Sequence, residues 1–233
     1  MRRARWTVGI DEVGRGALAG PVVVAAAALR GGRAPSRRTP GILKDSKKLS
    51  AARREEWAAF FSAHPRHAVF ALARVYPRQI ERRNISQAAN LAAARAFRKL
   101  EAIARLGKNT PVFLDGGLFL GSGAARAAFG ARAKTIVKGD EKIAAIKAAS
   151  IVAKVRRDGL MRRLAKRYPA YGFELHKGYG TAAHRAALRA RGPSPAHRLT
   201  FIGKSATIQK KWEEYQSSII QKERQAAAGR ISR

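Results

Sequence analysis

The sequence predicts an α/β protein, a mixed sheet flanked by helices with a helical C-terminal portion. Three observations predict it. Two apolar runs near the start are joined by a short glycine-containing turn, and later apolar runs alternate with helical segments. The 233 residues are 46% hydrophobic, enough for one sizeable core. No internal repeat diverts the chain towards a solenoid.

Residues 6 to 13 and 21 to 29 read as a hairpin, rich in Val and Ile and joined by "GRGALAG". "RGGRAPSRRTPG", residues 30 to 41, is a basic Gly/Pro loop leading into "ILKDSKKLS". Ser50 caps a short helix carrying Trp57, Phe60 and Phe61. "HAVFALARVY" from His67 is a third strand, and Asn84 with Gln87 opens an Ala-rich helix ending near Ala104. "PVFLDGG" and "KTIVKGD" are short parallel strands, each expected to end in its acid, Asp115 and Asp140. Ile143, Ile146, Ser150, Ala153 and Leu160 recur at helical spacing, so a helix runs from about 143 to 167 until Tyr168 and Pro169 stop it. "YGFELHKGYG" is a turn-rich connector, "TAAHRAALRARG" a helix ended by Gly192, and Ser205 to about Gly229 a polar helical tail. Trp212, Tyr215, Ile219 and Ile220 give that tail an apolar stripe suited to docking. The expected division is a main domain over 1–202 and a basic tail over 203–233.

Charge narrows the function. With 48 Lys and Arg against 15 Asp and Glu, the net charge is +33, which repels itself unless a polyanion neutralises it. A nucleic-acid partner is expected, bound in a salt-sensitive way through counterion release. Membrane insertion is excluded by the same reading, because the longest charge-free run, Ala17 to Leu29, falls short of the roughly 20 residues a spanning helix needs. Asp11, Glu12 and Arg15 break any signal-peptide core after "MRRARW". Zero cysteines exclude disulfides and thiolate-ligated metals and are compatible with the cytoplasm.

Against that background the few acids are informative. Asp11, Glu12, Asp115 and Asp140 lie in or directly after core strands. A buried carboxylate needs a partner, either an ion-pairing Lys or Arg or a metal. Four acids on separate strand ends, if they converge, suit hard divalent cations, Mg²⁺ or Mn²⁺, and phosphodiester hydrolysis. Asp11 and Glu12 are adjacent, so on a regular strand their side chains point to opposite faces. Either a local distortion or a backbone carbonyl is expected to bring both to one site.

"GIDEVGRGALAGPVVVAAAAL", "LKDSKKLS", "FLDGG", "VKGDEKIAAIKAASIVAKVRRDGLM", "YPAYGFELHKGYGTAAH" and "GPSPAHRLTF" follow one another in the order and spacing of ribonuclease HII, which the chain resembles over about residues 6 to 202. The resemblance implies a ribonuclease H-like fold with a five-stranded mixed sheet. It implies cleavage of RNA/DNA hybrids and of ribonucleotide-containing duplex DNA, serving ribonucleotide removal in replication and repair. Asp11, Glu12 and Asp115 match the family's metal-binding acids and Asp140 its fourth catalytic acid. Gly14, Arg15 and Gly16, otherwise a turn, match the segment that senses the ribose 2′-hydroxyl. Tyr179, otherwise a loop anchor, matches the tyrosine that meets the ribose and stacks on the next sugar. Ser46, Lys47 and Lys48 are read as phosphate contacts, or as a solvated charge run.

Two departures stand out: Glu141 where many members carry Ser, and Lys147 near usually small residues. Asp158, in the arginine-rich part of its helix, is read as an ion-pairing acid beside Arg156, Arg157 and Arg162. His176, Lys177 and His197 are assigned no catalytic role. A monomer is expected, with no protein partner assigned. A non-catalytic nucleic-acid binder and other nucleases of the same fold are the alternatives. With ten residues before Asp11, the additional N-terminal domain of ribonuclease HIII is not expected.

Overall fold

The computed structural model describes residues 6–34, 39–120, 133–203 and 206–231. Five strands form one sheet in the order β3-β2-β1-β4-β5: β1 (Trp6–Val13), β2 (Val22–Arg30), β3 (Ala68–Val75), β4 (Val112–Asp115) and β5 (Ala133–Ile136). β2 runs antiparallel to β1 and to β3, while β1, β4 and β5 are parallel. The expected mixed sheet and its opening hairpin are both present. The basic loop lies partly outside the described residues, at 35–38.

The chain divides into two compact units, Met1–Arg15 with Pro21–Leu160, and Gly16–Gly20 with Met161–Arg233. The first contains the sheet. Strand β2 is buried on both faces, which explains its run of Val and Ala without polar alternation. Ala25, Ala27 and Leu29 pack with Trp57, Phe60 and Phe61 of α1 (Ala51–Ala63) and with Ala145 to Ala153. On the other side α3 (Ile85–Ala104), which follows the short α2 (Pro77–Arg83), covers β2, β3 and β1. Its buried Ala88, Ala89, Ala92, Ala93 and Ala96 meet an alanine-rich strand, so helix and sheet approach closely. Ser50 caps α1 through Arg53 N–H at 3.2 Å, and Asn84 caps α3 through Gln87 N–H at 3.0 Å.

After β5 the chain turns through Lys138, at φ 55°, into the short helix α4 (Gly139–Lys142). Asp140 therefore sits in a first helical turn and not at a strand end, where it was expected; Asp115 does end its strand. The long helix α5 (Ala144–Arg167) follows, and Gly9 of β1 lies directly beneath it. A Cβ on Gly9 would stand 2.1 Å from the backbone of Ala145 and Ile146, so only glycine lets this helix seat on β1.

The second unit comprises the rest of α5, a 3₁₀ turn at Pro169–Tyr171, α6 (Phe173–His176), α7 (Ala182–Arg191), α8 (Leu199–Ile202) and α9 (Ala206–Ile231). Its core gathers Ala19, Met161, Ala165, Phe173 and Ala196. Lys211 of α9 donates to the carbonyls of Arg189 and Ala190 at the end of α7, so the tail docks there through a polar clasp. No helix among the described residues is long and apolar enough to cross a membrane.

His184 and His197 are buried in this unit, and burial lowers their pKa to about 4 and about 3 from 6.5. Both lie below the unfolded value, so the unfolded chain binds more protons between about pH 6.5 and 4. Stability therefore falls as pH drops through that window, by at most ~1.4 kcal/mol per pH unit for each histidine. Hydrogen exchange of the α7 amides should report a shrinking opening free energy from pH 7 to pH 4.

Candidate active site

Strand β1 carries Asp11 and Glu12 to its C-terminal end without a bulge, the ladder with β2 running unbroken from Trp6↔Arg30 to Val13↔Val23. The strand is not distorted there, and the two side chains lie on opposite faces. Asp11 shares the face of Gly9, under α5, where its carboxylate meets the Ser150 hydroxyl and also accepts the Glu12 N–H at 2.7 Å. Glu12 turns to the other face, where Oε1 is 3.1 Å from Arg15, whose guanidinium also holds Ser86 of α3. Its second oxygen, Oε2, is buried with no hydrogen-bond partner among the described residues.

Asp115 closes β4, the parallel neighbour of β1. Its Oδ1 accepts the backbone N–H of Gly139 at 2.7 Å and of Asp140 at 3.3 Å. A Cβ on Gly139 would meet Ile146 Cδ1 at 2.5 Å, so the glycine is what permits this close approach. Asp140, itself buried, receives Lys47 Nζ at 3.0 Å. Lys47 belongs to the 3₁₀ turn Ser46–Lys48, whose Ser46 hydroxyl is buried 2.8 Å from Ser150. A continuous set of contacts thus runs from Asp11 through Ser150, Ser46, Lys47 and Asp140 to Asp115.

Burial, then the neighbouring Glu12 and Asp115, push the Asp11 carboxyl well above its usual range. Burial also raises Glu12, partly offset by Arg15, with Asp115 adding to the rise. These are mutually repelling carboxylates in a partly dry setting, and Lys47 is held charged chiefly by its hydrogen bond to Asp140. Among the described residues no three acids or histidines are drawn close enough to hold a metal as they stand. The donor set nevertheless fits a hard divalent cation: carboxylate oxygens only, unfavourably charged together, with one buried oxygen unpartnered.

The "GRG" segment divides between the units. Gly14, at φ 86°, packs on the fully buried Arg157, whose Nε donates to Pro21 O at 3.0 Å. In the second unit, Leu18 and Ala19 donate to Gly178 O, and the fully buried Arg198 donates to Gly20 O through Nε and Nη2. Tyr179 is half-buried, with Lys177 at φ 53° and Gly178 at φ 81° just before it. Lys48 is exposed.

Sequence reasoning missed Ser150, Arg157 and Arg198. Ser150 was visible only as a small residue in an apolar stripe, although a hydroxyl at that spacing is itself a sign of a polar partner on the facing strand. Asp158 ion-pairs as expected of it, and Lys154, one turn earlier at 2.8 Å, is a partner that was not named.

The sequence profile of ribonuclease HII matches residues 8–204. Ribonuclease HII of Synechococcus sp. (strain WH7803) is 47% identical over 196 residues, covering 84% of this chain and 94% of that one. Among solved structures, the ribonuclease H2 of Pyrococcus horikoshii OT3 superposes with a TM-score of 0.65 at 25% identity, covering 91% of this chain and 99% of that one. The ribonuclease HII of Archaeoglobus fulgidus, solved in complex with PCNA, gives 0.61 at 26% identity over 84% of this chain and 95% of that one. A five-stranded mixed sheet carrying acids at the ends of neighbouring strands, matched over most of its length, is a ribonuclease H-like fold, and the chain belongs to the ribonuclease HII family of ribonuclease H-type hydrolases.

Proposed function

We propose that the chain cuts the RNA strand of RNA/DNA hybrids and incises duplex DNA on the 5′ side of single embedded ribonucleotides, leaving 3′-hydroxyl and 5′-phosphate ends. The observation that carries this reading is the acid cluster with its unpartnered Glu12 Oε2, in a chain of net charge +33. Asp11, Glu12, Asp115 and Asp140 would hold Mg²⁺ or Mn²⁺. Two such ions, when bound, supply an activated water and neutralise charge developing on the phosphate. Asp115 is oriented for this task by two backbone N–H groups, and Asp11 by Ser150 and the Glu12 N–H.

Arg15 and Lys47 are the protein's own cations on Glu12 and Asp140, and they compete with an incoming ion for those oxygens. Released from Asp140, Lys47 is free to hold a backbone phosphate beside Lys48, while Ser46 braces the segment through Ser150. Gly14, Arg15 and Gly16 present backbone to the ribose 2′-hydroxyl, and Tyr179 packs on the sugar. The chain is read as a cytoplasmic monomer acting in ribonucleotide removal during replication and repair. A duplex carrying one ribonucleotide should be cut in Mg²⁺ or Mn²⁺ and spared in a chelator, with an all-DNA duplex intact. Cutting of the all-DNA duplex, or a 2′,3′-cyclic phosphate end, overturns this reading.

A further inference from the structure

We propose that His184 is a positioning residue for Tyr179, the last donor in a one-way hydrogen-bond chain that clamps the tyrosine's loop from below. This rests on the reading that Tyr179 meets the sugar.

The direction of every hydrogen in the chain follows from its partners. Tyr179 O lies 2.9 Å from His184 Nδ1, and a carbonyl only accepts, so Nδ1 carries the proton. His184 Nε2 is then a lone pair. It faces His197 Nε2 at 3.0 Å, which must be the donor. His197 Nδ1 is therefore an acceptor, and it meets the Ser194 N–H at 2.9 Å, with the Ser194 hydroxyl at the same distance. Both rings are neutral and each tautomer is fixed. A proton added to His184 would face the N–H of His197, and one added to His197 would face the N–H of Ser194.

The loop so held is an unusual conformation. Lys177 and Gly178 take consecutive left-handed geometries immediately before Tyr179, a strained arrangement for lysine. A Cβ on Gly178 would lie 2.6 Å from Ala19 O. His176 holds the loop's other side, donating through Nε2 to Tyr171 O at 2.7 Å and accepting the Gly178 N–H at 3.1 Å through Nδ1. Its ring stacks on His184 at 4.2 Å, and Phe173 meets His184 edge-on. Three imidazoles thus fix the backbone on both sides of Tyr179. None of them was assigned a role by the motif that contains them.

The test is a double-mutant cycle on a duplex with one ribonucleotide. His184→Gln withdraws one of two donors on Tyr179 O, the Thr181 N–H at 2.8 Å remaining, and should lower kcat/KM about tenfold, the upper size for losing one hydrogen bond that fixes the loop. His184→Asn keeps an N–H near the Nδ1 position and should recover activity to within about threefold of the parent. In a Tyr179→Ala background, His184→Gln should cost less than about twofold, because the residue acts through the tyrosine. Equal losses in both backgrounds, or Asn no better than Gln, overturn the proposal. If Tyr179→Ala alone is silent, the reading of Tyr179 as a sugar contact fails instead. Should His184→Gln not fold, long-range ¹H–¹⁵N spectra of the parent decide: Nδ1–H on His184 with Nε2–H on His197 is required, and any other tautomer pair contradicts it.

Discussion

Replacing Asp11 with Asn should abolish divalent-dependent cleavage, by about 10³-fold or more (~4 kcal/mol of transition-state stabilisation), while hybrid affinity changes by only about threefold. On the proposed reading, binding draws on the net charge of +33, and removing a carboxylate beside phosphate does not weaken that. Stability should move the other way. The Asp11 and Glu12 pKa values are raised above their unfolded values, so their ionised forms oppose folding. Between the ordinary carboxylate range and the raised value the native state binds more protons, and stability falls as pH rises through that window. The metal-free parent carries this penalty increasingly as pH rises through the window. Asp11→Asn removes one charge while leaving an amide to meet Ser150, so its metal-free melting temperature should equal or exceed the parent's. The rise in melting temperature that Mg²⁺ or Mn²⁺ gives the parent should be lost. Cleavage rate, fluorescence anisotropy with a hybrid, and melting with and without the ion measure the three effects.

Gly14→Ala should be the most damaging small substitution in the chain's glycine-rich motif. Its φ of 86° disfavours any side chain, and the new Cβ would lie 2.0 Å from Arg157 Nε. Ordinarily a long side chain moves aside. Arg157 is fully buried and bonded to Pro21 O, so moving it breaks a buried charge-assisted contact. A loss of ~3 kcal/mol in stability is expected from strain and overpacking together, with at least about tenfold in kcat/KM from displacement of the adjoining acids. Gly16→Ala is the comparison. Among the described residues nothing lies within 4 Å of a Cβ there, so the fold should tolerate it. Any activity lost by Gly16→Ala then reports the approach of the substrate. Chemical denaturation alongside steady-state kinetics separates the two glycines.

The hairpin, the capped helices and the sheet membership of Asp11, Glu12 and Asp115 were legible because each rests on local rules: apolar periodicity, a side-chain cap, a Gly-bounded strand. Asp140 was legible as an acid after β5 but not as a helical residue. Its placement depends on Lys138 adopting a left-handed turn, which lysine's preferences argue against. The adjacent acids were expected to need a distortion or a backbone carbonyl to share a site, since local geometry sends their side chains to opposite faces. The structure keeps them there, and places both at a strand end beside Asp115. Arg157, Arg198 and the three histidines were illegible for a different reason. In a chain of 48 Lys and Arg nothing local distinguishes the two that are wholly buried, and what buries them is contact between segments far apart in sequence.

Anomalous scattering from Mn²⁺ in crystals of the active enzyme tests the central claim most directly. Manganese peaks bounded by oxygens of Asp11, Glu12, Asp115 and Asp140 are predicted. Manganese bound elsewhere, with Glu12 still on Arg15 and Asp140 still on Lys47 while the crystals cut a single-ribonucleotide duplex, would contradict it.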